Sequence, residues 1–216
     1  MTTNPFTNRV AVEEQPAEEP AIEDDVVLGS QVETSGPKRP LARRDESEPA
    51  PRLPVVESTS TALVRVVTTH GGAGGSTLAD LLGDALADDA GAFWPMAHPW
   101  VPESTDGRVL LVARTHRAGL LALREVLTAW HADAYRSGLP LMGVCLVDDG
   151  PRMEKSQIAE IKALTAMSPH GWHVPWQESL RTIAPSEASL SARVKWTLSR
   201  VRHHATRSGT HKKKEK

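Results

Sequence analysis

The sequence predicts an α/β fold, a compact parallel sheet with flanking helices, carried between an acidic N-terminal arm and a basic C-terminal tail. Three observations predict it. Short β-branched runs alternate with segments of helical period. A cluster of glycines joins the first such run to the first helix. Charge is partitioned along the 216 residues: 1–60 hold 12 Asp and Glu against 6 Lys and Arg, while 193–216 hold 9 Lys and Arg against one Glu. The net charge of −2 therefore hides a strong asymmetry.

Residues 1–60 are rich in Pro, Glu, Ser and Thr, with apolar residues scattered and aperiodic. Such a segment buries too little surface to offset the entropy of ordering it, so a disordered arm is expected. Its acidic part (13–25) and its Pro-Lys-Arg-Pro stretch (37–40) suit a solvated linker or a partner-docking arm. Order is expected to begin at Thr61, with an α/β domain over 61–204 and a disordered tail over 205–216.

Within the domain, 63–68 reads as a buried strand. Leu78, Leu81, Leu82, Ala85 and Leu86 then recur at helical spacing, so a helix starts near Ser76. In 90–106 the prolines exclude a helix, and the spacing predicts a short strand or a loop pinned by Trp94 and Trp100. A second strand is expected at 108–113, an amphipathic helix at 118–136, a third strand at 141–147 and a third helix at 155–167. A short fourth strand at 171–176 ends at Pro175, and a last helix covers 186–204, with Trp196 facing the core.

Cys145, the single cysteine, lies mid-strand, where it is expected to be inert, and a lone thiol points to a reducing compartment. No run approaches the 18–20 apolar residues of a spanning helix, and the first residues lack a signal-type apolar core. A cytoplasmic protein is expected.

The loop His70-Gly71-Gly72-Ala73-Gly74-Gly75-Ser76-Thr77 carries the chemistry. A P-loop reads Gly-x-x-x-x-Gly-Lys-Ser/Thr: backbone N–H groups wrap the phosphates, the lysine neutralises them and the hydroxyl holds magnesium. Here Ser76 and Thr77 stand in the hydroxyl positions, but Gly75 occupies the lysine slot. The loop resembles the deviant P-loop of the ParA/MinD family of partitioning and positioning ATPases, with His70 and Gly75 where that family has lysines. The segments 109–120, 141–148 and 174–181 look like that family's later core segments, so the resemblance covers most of 61–183. The Gly-Gly-Ala-Gly loop, the Trp-Pro at 94–95, Val-Ala-Arg-Thr and Val-Pro-Trp together are similar to a group of actinobacterial proteins.

The resemblance implies a P-loop NTPase-like fold and tentative nucleotide contacts at Gly71, Gly72, Ala73, Gly74, Gly75, Ser76 and Thr77. It also implies Pro175 beside the base, and ATP or ADP with magnesium on Ser76. Asp148, with Asp149, ends a parallel strand at the edge where open sheets take ligands, or else only turns the chain before Gly150-Pro151. Acidic switch residues, expected at a strand end between 88 and 108, have no counterpart, because Asp106 precedes its strand. Losing the lysine removes charge stabilisation on the order of a thousandfold or more in rate, so a pseudo-NTPase is favoured over an ATPase in which His70, Arg114 or Arg117 would supply the charge. A ligand-free strand-to-helix turn, with Ser76 and Thr77 as first-turn residues, is the plain alternative.

His170 with His173, and His203 with His204, lack metal-ligand spacing and read as structural or solvent residues. Three functions remain open. The first is a non-catalytic scaffold or regulator, acting through protein contacts of the arm or domain surface, in DNA transfer, partitioning or secretion; dimerisation is compatible with it. The second is an ATPase with an atypical loop, and the third a nucleic-acid accessory protein using the basic tail on DNA or an acidic surface.

Overall fold

The computed structural model describes residues 53–207, so most of the acidic arm and the lysine-rich end of the tail lie outside the described residues. In chain order the elements are strand β1 (Val55–Ser58), strand β2 (Val64–Thr68), helix α1 (Gly75–Leu82), strand β3 (Ala87–Gly91) and strand β4 (Trp94–Ala97). A 3-10 turn (Pro102–Asp106) leads to strand β5 (Arg108–Arg114), helix α2 (Arg117–His131), strand β6 (Leu141–Val147) and helix α3 (Lys155–Ala166). Strand β7 (Gly171–Val174), helix α4 (Ser179–Thr182) and helix α5 (Ala192–Arg207) complete them.

Five strands form a wholly parallel sheet in the order β3-β2-β5-β6-β7, and β1 pairs in parallel with β4 in a separate ribbon. Parallel strands require crossovers that cover both faces, so the central strands must be apolar on both sides. On β5, Val109, Leu111 and Ala113 point into a core with Leu120, Leu123 and Leu127 of α2. Leu110 and Val112 point into the opposite core, with Leu78 of α1 and Leu198 of α5. The result is three layers.

Local chemistry sets several boundaries away from those expected. Helix α1 stops at Leu82 because Gly83, at φ 93° and ψ 140°, leaves the helical region through a positive φ that favours glycine, while its N–H bonds Ala79 O and Asp80 O. Ala85 and Leu86 therefore fall outside the helix, and β3 follows them. Strand β1 lies within the stretch read as arm. Its ribbon is tied down by Trp94, which is fully buried, stacks on Tyr135 at 4.1 Å and donates from Nε1 to Leu139 O at 3.0 Å. A Cβ at Gly138 would collide with the Trp94 ring, so glycine lets the chain pass it. Trp100, expected to pin the same region, is 86% exposed. Helix α5 starts at Ala192, where the Ser191 hydroxyl accepts from Val194 N at 3.4 Å. Trp196 faces out of that helix, not into the core, because Val194, Thr197, Leu198, Val201 and Ala205 form its buried stripe.

One charge is buried in the sheet. Arg65 on β2 donates to the carbonyls of Ser60 and Ala62, closing the end of the sheet opposite the glycine loop. Desolvation lowers its pKa and nearby Asp88 opposes that shift. Among the described residues no helix is long and apolar enough to cross a membrane.

Candidate functional site

Strand β2 leads outward to β3, and the chain then returns across β2 to β5, β6 and β7. The sheet therefore changes winding direction between β2 and β5, and open α/β sheets take ligands at the carboxyl ends of such strands. The glycine loop and residues 114–116 meet at that point.

Two glycines shape the loop. Gly72 (φ 71°) and Gly74 (φ 92°) are left-handed, a conformation that costs other residues about 1 kcal/mol or more. Between them Ala73 is buried in the α1-side core. Gly74 caps α1 and no side chain caps it further, so the positive end of the helix faces the loop.

His70 ties the loop to the end of β5. Its Nε2 accepts from Arg114 N at 3.1 Å, so Nδ1 carries the proton and donates to Gly71 O at 2.9 Å. Both ring nitrogens are committed to backbone, which leaves no N–H for a ligand. The Gly119 position is equally tight: a Cβ there would collide with Arg114 O and lie 2.8 Å from His70 Nε2. His116 caps α2 by accepting from Gly119 N at 3.0 Å.

The lysine slot is closed. Gly75 is buried, and a Cβ on it would collide with Thr68 Cγ2 and sit 3.3 Å from Asp89 Oδ1. Thr68 is β-branched, so it has little freedom to turn away. A cation reaches the loop from β5 instead. Arg114 Nε donates to Gly72 O at 2.8 Å, and Nη1 lies 3.5 Å from Asp149 Oδ1. The side chain lines a cleft with Gly74, Thr77, Leu78 and Leu81 on one side and Val147, Asp148, Val174, Pro175 and Trp176 on the other.

Asp148 organises the far wall. It is buried, accepts from His173 Nε2 at 2.6 Å and from Trp176 N at 3.3 Å, and so turns the chain after β7 into the cleft. Trp176 donates from Nε1 to Glu178 Oε2 at 3.0 Å, and the Arg181 guanidinium lies 5.3 Å from its ring centre. The cleft thus gathers polar groups (Thr77, Arg114, Asp148, Gln177) with apolar and aromatic ones (Leu78, Leu81, Leu180, Trp176), and Arg181 lies over the Trp176 ring. Such a shape suits a small molecule with an anionic group and a flat or apolar body.

Of the residues singled out from sequence, Gly74, Thr77, Asp148 and Pro175 line this one cleft. Gly72 contributes through its carbonyl, Gly71 is exposed, Ala73 and Gly75 are packing positions, and Arg117 is not among the lining residues. Ser76 is exposed and lines a different cavity, with Asp80, Asp84, Asp88, Asp89 and residues 59–62. Among the described residues no group of three or more His, Cys, Asp or Glu could hold a metal ion. The acid beside the loop that sequence reading did not find is Asp89, near the end of β3, whose Oδ1 accepts from Gly91 N at 2.9 Å. Its signal was masked because Ala-Asp-Asp-Ala-Gly does not read as a strand. Cys145 is fully buried, and burial pushes its thiol up to about 12.

The sequence model of a family of unknown function, DUF6668, matches residues 62–198, which takes in all five sheet strands, the loop and the cleft. A search of curated proteins finds no match.

Proposed function

The chain belongs to the family of unknown function DUF6668, and we propose that it is a degenerate nucleotide-binding-fold protein of ParA/MinD type. In this reading it takes an anionic, nucleotide-like ligand without efficient turnover and works as a scaffold or regulator through protein contacts. The observation that carries the reading is Arg114, hydrogen-bonded to the glycine loop and lining one cleft with Gly74 and Thr77. A guanidinium there offers several donors to an oxyanion while the open helix end adds its partial charge. Turnover is disfavoured because the lysine slot is sterically closed and Ser76 opens on the acidic side.

The test is a titration of the full chain with a fluorescent ATP analogue, with and without magnesium, beside a phosphate-release assay. Saturable binding that weakens about tenfold or more in Arg114→Ala, with no release above blank, supports the reading. No binding at millimolar analogue contradicts it. The resemblance adds DNA transfer, partitioning or secretion as the setting.

A working ATPase is the second reading, and Asp89 beside the loop is the observation in its favour. Phosphate release abolished by both Asp89→Asn and Ser76→Ala would establish it over the first.

A further inference from the structure

Helix α5 presents a face that the cleft does not use. Its 16 residues include five Lys or Arg, two His and no acid. The buried stripe packs against β7 and α1, as an amphipathic helix must. That rotation turns Trp196, Arg200, His203 and Arg207 outward at spacings of four, three and four residues, which aligns them on one side. The contacts follow the stripe: the Arg200 guanidinium lies 4.9 Å from the Trp196 ring centre, and Arg207 Nη1 donates to His203 Nε2 at 3.2 Å. Trp196 is 60% exposed, and among the described residues no carboxylate pairs with Arg193, Lys195 or Arg200.

We propose that this stripe of α5 is a binding surface for single-stranded nucleic acid, with a base stacked on Trp196 and the phosphate backbone running along Arg200 and Arg207. An exposed indole offers a π-face that any base can use, and the guanidiniums release condensed counterions when they meet phosphates. The eleven helical steps from Trp196 to Arg207 rise about 16 Å, enough for two to three nucleotides of extended strand. The apolar stripe of α5 is consumed by the sheet and the outward face has one large apolar residue, so the face lacks the area that would seat a helix in lipid. A duplex would meet the charges but offer no unstacked base to the indole. This surface is independent of the cleft and of the reading attached to it.

The experiment is fluorescence anisotropy of a labelled fifteen-nucleotide oligothymidylate with the full chain, between 50 and 200 mM salt. Trp196→Ala is expected to weaken binding about tenfold, and Trp196→Phe to retain most of it. Arg200→Ala should make the salt dependence shallower by about 0.7 in the log–log slope. The Trp196→Ala and Arg200→Ala losses are expected to persist in a background whose tail lysines Lys212, Lys213, Lys214 and Lys216 are replaced by serine. Thermal melts of Trp196→Ala and Trp196→Phe matching the parent keep a loss of binding from being a loss of fold. Four results overturn the proposal. They are no binding at 50 mM salt, Trp196→Ala within twofold of the parent, a duplex bound as tightly as the single strand, or phosphatidylserine vesicles bound while the oligonucleotide is not.

Discussion

Ser76 and Thr77 are neighbours in the first turn of α1, yet they open on opposite worlds. Thr77 shares a cleft with Arg114 and Arg181, whereas Ser76 shares a cavity with Asp80, Asp84, Asp88 and Asp89. The helix turns about 100° per residue, so adjacent hydroxyls are separated by geometry alone. The Thr77 side carries Arg114 and Arg181 together with Asp148, whereas the charged residues lining the Ser76 side are all acids. In a P-loop the lysine and the magnesium hydroxyl stand in consecutive positions of one motif. Here the slot of the first is shut by Thr68 and the second faces acids. On the proposed reading an anion is held by Arg114 of β5 together with Thr77, without a lysine from the loop.

The largest effect should come from forcing the lysine back. Gly75→Lys places a side chain against Thr68, and overpacking of this kind costs about 1–3 kcal/mol, a fall of about 2–10 °C in Tm. Phosphate release should not appear. Gly75→Ala should already carry most of the loss, although alanine normally favours a helix, and adding Thr68→Ser, which deletes the colliding methyl, should recover it. A stable, hydrolytic Gly75→Lys would break the comparison.

The next effect sharpens it. Thr77→Ala should weaken the ATP analogue about threefold to tenfold by removing one donor, while Ser76→Ala should leave affinity within twofold. Equal losses in the two variants would mean that the two cavities act as one site.

The smallest effect belongs to a region away from both sides of α1. Burial first, then the positive neighbours His170, Arg200, His203 and Arg207, hold the His204 pKa below its usual value. Its ring packs against His170, at 4.3 Å between centres, and Trp172, at 5.5 Å. The native state therefore binds fewer protons than the unfolded chain as pH falls below about 6.5, so stability is complete above that value and declines beneath it. Thermal melts from pH 7.5 to 5.5 should show a smaller decline for His204→Gln than for the parent.

How much of this was legible follows from where each residue's partners lie. Strands buried on both faces, such as β5 and β6, announce themselves because every position is apolar. Strand β3 is at the edge of the sheet and tolerates Asp88 and Asp89, so its composition imitates a loop. Strand β1 draws its order from backbone pairing with β4, a partner about 40 residues away that leaves no local pattern. The glycine loop was legible since left-handed backbone demands glycine. The hydrogen bond from Arg114 to Gly72 spans 42 residues and was visible only as a strand end that could reach in. Trp196 was misjudged because an indole on an amphipathic helix usually belongs to the core, and the register set by Ser191 decides otherwise.

A crystal grown with saturating ADP tests the central claim most directly. The account predicts phosphate density between the α1 N-terminus, Thr77 and the Arg114 guanidinium, with the base toward Trp176 and nothing on the aspartate side. An empty cleft, or a nucleotide seated against Ser76 and Asp89, would contradict it.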